Sequence, residues 1–142
     1  MAMATGELRV YLVEDSEIIR NLLIDLIQPT GATIIGHSDN AREALADIDE
    51  LHPDVITVDI RLGSGNGFDV LKEIAKKRRD DRPLRIVLTN YGTPPYRDEA
   101  RRLGVEHFFD KATEIRKVLA VLASTIRRPN PVGVSGQISE GV

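Results

Sequence analysis

Five short apolar runs recur along the chain, each followed by a stretch with apolar residues at helical spacing. "LRVYLV" (Leu8 to Val13) is rich in β-formers and ends at two adjacent acids. "SEIIRNLLIDLIQ" follows, with Ile18, Leu22, Ile24 and Leu26 near helical spacing, and it stops at Pro29 and Gly31. "ATIIGHS" predicts a second strand. "NAREALADIDEL" predicts a second helix with Ala41, Leu45 and Ile48 on one face and Asn40 as its cap. "DVITVD" is a third strand, and the loop "IRLGSGNG" leads to "FDVLKEIAKKRR", whose stripe is Val70, Leu71 and Ile74. "LRIVLTN" is a fourth strand. "PPYRDEARRLG" is a short charged helix with proline at its start, where proline is tolerated. "VEHFFD" is a fifth strand. "ATEIRKVLAVLASTIRR" is a last helix with Ile115, Val118, Leu119, Leu122 and Ile126 on one face.

Such alternation predicts an α/β fold of βαβ units, with a doubly wound parallel sheet and helices on both faces. The near-continuous apolar strands agree, because a parallel sheet is buried on both sides. Residues 8–127 form the expected domain; residues 1–7 and the Pro-, Gly- and Ser-rich residues 128–142 are expected to be flexible ends, with no room for a helix-turn-helix after the last helix.

Composition narrows the class. The 142 residues are 42% hydrophobic and 29% charged, which suits one globular domain. A net charge of −3 with interspersed signs argues against a dedicated nucleic-acid surface. There are no cysteines, so disulfides and thiolate metal sites are excluded. "MAMATGE" lacks the features of a signal peptide, and the apolar run "VLAVLA" is far too short to span a bilayer. A cytoplasmic location without membrane contact is expected.

In an open parallel sheet, ligands sit beyond the carboxyl ends of the strands. Strand one ends in Glu14 and Asp15, strand three in Asp59 and strand four in Thr89, and strand five is followed by Lys111. If strands one and three are neighbours, three carboxylates share a pocket, which is costly unless a cation offsets their charge. Magnesium takes one or two carboxylates and keeps waters for a phosphate-bearing ligand. Lys111 at the rim and the Thr89 hydroxyl complete a set suited to phosphoryl transfer. A carboxylate can itself accept the phosphoryl group, and Asp59, alone at its strand end, fits that role. An acid or serine after a strand is also a common helix cap, so Asp15 or Ser16 could serve the first helix that way. Thr89 alone could reflect strand propensity, and Lys111 alone a solvated charge. The joint placement on successive strand ends carries the functional reading.

"YLVEDS", "VITVDIRL", "IVLTN" and "HFFDKA" resemble the corresponding blocks of response-regulator receiver domains, from about Leu8 to Arg127. Spacings of 44 residues from Asp15 to Asp59, 30 on to Thr89 and 22 on to Lys111 fit as well. The resemblance implies a flavodoxin-like (βα)5 fold with strand order 2-1-3-4-5. It implies that Asp59 accepts phosphate from a histidine kinase or histidine phosphotransfer protein. Asp15, Asp59 and the backbone carbonyl of Arg61 would hold Mg2+, with Glu14 as the outer acid, acting mostly through water. Lys111 would pair with the phosphoryl group, Thr89 would move towards it, and Phe108 would be the switch aromatic. A downstream protein, not identified by the sequence, would read the face of helix four, strand five and helix five. The chain would be a monomer or a phosphorylation-dependent dimer, with no enzymatic activity beyond its own phosphorylation and dephosphorylation.

Several positions depart from the family pattern. Ala112 follows Lys111, and Gly63 lies in the loop after Asp59, where proline is common in each case, so that loop is expected to be looser. Phe108 has no hydroxyl, so its switching is expected to rest on burial and packing alone. Arg61 and Tyr91 occupy variable positions near the phosphate, where a long cation and a bulky aromatic predict slow self-dephosphorylation. "GSGNG" (Gly63 to Gly67) is expected to be a turn leading into a helix, because Phe68 stands where a dinucleotide loop needs its last glycine. His37, His52 and His107 show no ligand spacing, "KKRRDDR" is expected to be a solvated helix end, and "EARR" a plain exposed helix. A pseudo-receiver acting as a constitutive interaction module is the alternative function, and a Mg-dependent phosphohydrolase a third.

Overall fold

The computed structural model describes residues 7–127. The C-terminal tail, and all of the N-terminal segment except Glu7, lie outside the described residues. Five strands are present: β1 (Arg9–Val13), β2 (Thr33–Ser38), β3 (Val55–Val58), β4 (Leu84–Thr89) and β5 (His107–Asp110). The helices are α1 (Glu17–Ile27), α2 (Ala41–Leu51), α3 (Gly67–Ala75), α4 (Pro94–Arg102), α5 (Lys111–Glu114) and α6 (Lys117–Arg127). All neighbouring strands are parallel, in the order β2-β1-β3-β4-β5. This is the expected doubly wound sheet, and the winding reverses between β1 and β3. No helix among the described residues is long and apolar enough to cross a membrane.

Strand alternation divides the core in two. Tyr11, Val13, Ile56, Val58 and Val87 pack on one face with Ile48, Val70, Leu71 and Ile74 of α2 and α3. Val10, Leu12, Val55, Ile86 and Leu88 pack on the other with Leu23, Ile27, Val118 and Leu122 of α1 and α6. Each such buried aliphatic side chain contributes about 1.5–3 kcal/mol relative to exposure, so these two layers fix the positions of the strand ends.

Three elements differ from the sequence-based expectation. In α1 the buried residues are Leu23 and Ile27, while Ile18 is 80% and Leu22 42% exposed. The helix carries two overlapping apolar stripes, 18/22/26 and 19/23/27, and periodicity alone cannot choose between them. The exit from β1 and the Ser16 cap choose the second. The third helix ends at Ala75, because Arg82 folds back onto it: Nη2 donates to the Ala75 carbonyl at 2.7 Å and Nε to the Lys77 carbonyl at 3.0 Å. "KKRRDDR" is therefore a helix stop with its own cap. The last helix is broken after Glu114. Asp110 accepts from the Ala112 and Thr113 amides at 2.8 and 3.1 Å, and Glu114 accepts from the Asp110 amide at 2.8 Å. The chain then makes three-residue bonds from Val118 to Ile115 and from Leu119 to Arg116 before α6 settles.

The loop from Asp59 to α3 is fixed by glycine. Asn66 caps α3 by accepting from the Phe68 amide at 2.7 Å, and the Gly67 amide donates to the Ile60 carbonyl at 2.7 Å. A Cβ at Gly67 would lie 2.2 Å from the Asp59 carbonyl oxygen, whereas one at Gly63 would meet nothing closer than 4.0 Å. The "GSGNG" segment is thus the turn into a helix. Gly67→Ala is expected to cost about 2 kcal/mol or more, as overpacking against backbone does, and to lower the midpoint of thermal unfolding. Gly63→Ala should leave the midpoint within about 0.5 kcal/mol of the parent. Equal melting curves for the two variants would contradict this account.

Candidate functional site

β1, β3 and β4 bring their carboxyl ends together. The Glu14 amide still donates to the Ser38 carbonyl at 3.0 Å, and the Asp59 amide to the Val13 carbonyl at 2.9 Å. Residues 14 and 59 are therefore held in the sheet ladder although they lie past the ends of their strands. Asp15 lies one residue further on, where the chain turns into α1, and is exposed. Ser16 caps that helix, its Oγ accepting from the Ile19 amide at 3.3 Å, so Asp15 is not the cap.

Glu14, Asp15 and Asp59 each offer a carboxylate oxygen, all within 4.8 Å of one another. Lys111 Nζ lies 2.7 Å from Asp59 Oδ2 and 3.0 Å from Glu14 Oε1. These groups are deep: Glu14 is 2% exposed, Asp59 5% and Lys111 8%. Two expectations are corrected here. Lys111 is a floor residue and not a rim cation, because Asp110 caps α5 and draws residue 111 inward. Glu14 is the inner acid and Asp15 the outer one, because strand geometry continues through residue 14 and ends at residue 15.

Burial pushes the Glu14 carboxyl above its usual value, although the Lys111 ammonium and the Ser16 amide pull it back down. Burial also pulls Lys111 down, but its hydrogen bonds to Asp59 and Glu14 prevail and hold it above the ordinary lysine value. The lysine thus stays charged. Three carboxylates against one ammonium leave an excess of negative charge, presented on hard oxygen atoms in a cleft of about 610 Å³. Asp15, Asp59, Arg61, Tyr91 and Lys111 are among its lining residues. That donor set fits a hard divalent cation such as Mg2+. A larger cleft of about 750 Å³ opens beside His52 and Arg78 at the C-terminal ends of α2 and α3. Its Lys76 and Lys77 are paired with Glu73 and Asp49, and among the described residues no group of three acids converges there as at the first cleft.

The remaining predicted residues surround the acids. Thr89 is fully buried, and its Oγ1 accepts from the Tyr91 amide at 3.2 Å. The Arg61 guanidinium lies over the Tyr91 ring, 4.4 Å from its centroid, so the two variable-position residues form one unit at the cleft. Phe108 is partly buried against the first core layer. Arg97 of α4 also lies over its ring at 4.6 Å. Sequence reasoning passed over Arg97, which sits in a charged helix with no spacing signal. The peptide between Lys111 and Ala112 is trans, as are all others among the described residues.

Residues 10–123 match the response regulator receiver domain family. The chemotaxis protein CheY of Thermotoga maritima is 34% identical over 114 residues, covering 80% of this chain and 93% of that protein. The transcriptional regulatory protein YdfI of Bacillus subtilis is 31% identical over 120 residues, covering 84% of this chain; the match spans 55% of YdfI's own length. The crystal structure of the response regulator domain of Thermotoga maritima CheB superposes with a TM-score of 0.71 at 31% identity, covering 85% of this chain and 94% of that one.

The buried lysine yields a pH-dependent expectation. Lys111→Met strands Glu14 and Asp59 without a counter-charge and should cost about 3 kcal/mol near neutral pH in the absence of divalent cations. Glu14, already raised in the folded state, then binds a proton more readily folded than unfolded. A folded state that holds the extra proton gains stability as pH falls. The deficit of Lys111→Met relative to the parent should therefore shrink between pH 8 and pH 5 in urea titrations. A deficit that stays constant or widens over that window would rule out the explanation.

Proposed function

The chain belongs to the response regulator receiver family, and we propose that it is a phosphorylatable receiver whose phosphoryl acceptor is Asp59. The observation that carries this reading is the Asp59 carboxylate, held 2.7 Å from a buried ammonium and grouped with two further acids at the switch point of the sheet. A structural ion pair needs neither the exposed Asp15 nor the cleft above it. This favours a phosphorylated receiver over a constitutive interaction module.

The donor is a phosphohistidine on a histidine kinase or histidine phosphotransfer protein. An Asp59 carboxylate oxygen attacks phosphorus, an O–P bond forms, and the N–P bond breaks with its electron pair leaving on the imidazole. Asp15, Asp59 and the Arg61 carbonyl would hold Mg2+, which would supply positive charge beside the transferring oxygens. Glu14, tied to Lys111, acts on the ion through water and keeps the lysine poised in the floor. Lys111 passes from Asp59 to the new phosphoryl oxygens. Thr89 gives up the Tyr91 amide to donate its hydroxyl to the same group, and Phe108 moves with it. The face of α4, β5 and the α5–α6 segment then presents a different surface to a downstream protein. The protein acts in the cytoplasm.

A small-molecule phosphodonor should label the protein with one phosphoryl group per chain when Mg2+ is present, and Asp59→Asn should abolish the label. Many turnovers of a phosphate ester per chain would support a phosphohydrolase instead. The Arg61–Tyr91 unit screens the cleft from water, so the Arg61→Ala, Tyr91→Ala double variant should lose its phosphate faster. Removing about 1 kcal/mol of barrier corresponds to roughly fivefold. An unchanged half-life of the labelled form would count against the screening role.

A further inference from the structure

α4 is weakly held for a helix placed between a site and its output face. Among its residues only Ala100 is buried. Tyr96 meets the Phe68 ring edge-on at 5.5 Å, and the helix otherwise carries a charged sequence. Its C-terminal end is gripped from beneath by Arg85 of β4, which is 2% exposed and donates to the carbonyls of Leu103 and Gly104 at 2.9 and 2.7 Å. Its N-terminal end has no side-chain cap bond from Thr93. What ties that end down is Arg97. Its Nε donates to the Gly92 carbonyl at 3.1 Å, and its guanidinium lies over Phe108 at 4.6 Å. A Cβ at Gly92 would come within 3.1 Å of Arg97 Nη2, so the glycine leaves the guanidinium its place. Glu114, at the end of α5, lies within electrostatic reach of the same cation.

Arg97 therefore joins three parts at once: its own helix, the loop that follows Thr89, and the aromatic on β5. The loop is fastened at both ends, because the Tyr91 amide donates to Thr89 Oγ1. If Thr89 withdraws that oxygen, the loop shifts, and Gly92 and Arg97 shift with it. We propose that Arg97 is the positioning residue of the switch: in the unphosphorylated protein it clasps the Phe108 ring to the Gly92 carbonyl, and it releases the ring when Thr89 moves. The clasp stands in for the hydroxyl that Phe108 lacks. It rests on the receiver reading above, and it adds the contact that sets the resting balance between the two states.

The sign follows from linkage. A contact present in the resting state and absent from the switched state disfavours any ligand that selects the switched state. The phosphoryl mimic beryllofluoride with Mg2+ is such a probe, read out by its apparent affinity and by the ring resonances of labelled Phe108. Arg97→Ala should bind the mimic about three- to tenfold more tightly, the span of one arginine–aromatic contact. Its unliganded Phe108 resonances should move part of the way to their bound positions. Arg97→Lys, which keeps the charge without the planar stack, should fall between. Gly92→Ala, whose Cβ would crowd Arg97 Nη2 while leaving the residue-92 carbonyl and the Phe108 ring in place, should act more weakly in the same direction, so the inference can be tested even if Arg97→Ala fails to fold. In a Phe108→Leu background the effect of Arg97→Ala should vanish. Equal affinities with unchanged resonances, or the same gain without the Phe108 ring, would overturn the clasp while leaving the receiver reading intact. A parent protein that does not respond to beryllofluoride would overturn both.

Discussion

The contact on which the structure depends is the buried ammonium of Lys111 between Asp59 and Glu14. Two carboxylates cannot sit in the floor of a sheet without compensation, since each ion loses several kcal/mol of hydration there. Lys111 supplies the compensation from the far end of the sheet, across β4. That requires β5 to end in register with β4, where Thr89 lies opposite Asp110, and α5 to begin at once. The Asp110 cap and the bond from the Asp110 amide to the Glu114 carboxylate give that abrupt start. The broken last helix is thus a consequence of placing a lysine in the floor.

The same electrostatics sets the direction in which the site responds. With one ammonium among three carboxylates, the cluster is short of positive charge and ready for a divalent cation. A phosphoryl group brings about −1.5 to −2 charges and three acceptor oxygens. It draws on donors that are free to leave their present partners. Thr89 is one of these, since among the described residues its oxygen is engaged only by the 3.2 Å bond from the Tyr91 amide. In the proposed switch the loop after Thr89 is the element that gives way, because Arg85 fixes the other end of α4 against β4 with two carbonyl bonds. A helix pinned at one end and clasped at the other can pivot without unfolding.

Much of the fold was legible because buried parallel strands read as continuous apolar runs, and the alternation with helical stretches gave the order of elements. The acids were legible because each ends a strand, and Thr89 and Lys111 because they do the same on the next two. Depth was not legible. Glu14 and Asp15 are adjacent and chemically similar, and only the hydrogen bond from the Glu14 amide to Ser38 decides that residue 14 points into the sheet. The buried face of α1 was hidden by an excess of apolar residues, since Ile18 and Leu22 mimic a core stripe that is in fact Leu23 and Ile27. The role of Arg97 depends on where α4 crosses β5, a long-range geometry that no local spacing encodes.

A close backbone contact also explains why position 67, unlike position 63, has no room for a side chain. The Asp59 carbonyl lies where a side chain at residue 67 would have to be, so the acid's backbone is wedged between β1 and the first turn of α3. With that backbone wedged in place, adjustment at the site falls to the groups around Asp59. Of those groups, Lys111 is held by two carboxylates and Glu14 by the lysine and the Ser16 amide. Thr89, Arg61 and Arg97 have lighter attachments, each ending on the β4–α4 loop at Tyr91 or Gly92. On the proposed receiver reading, a firmly held Asp59 beside a more compliant loop would channel a local change of charge towards α4 and Phe108.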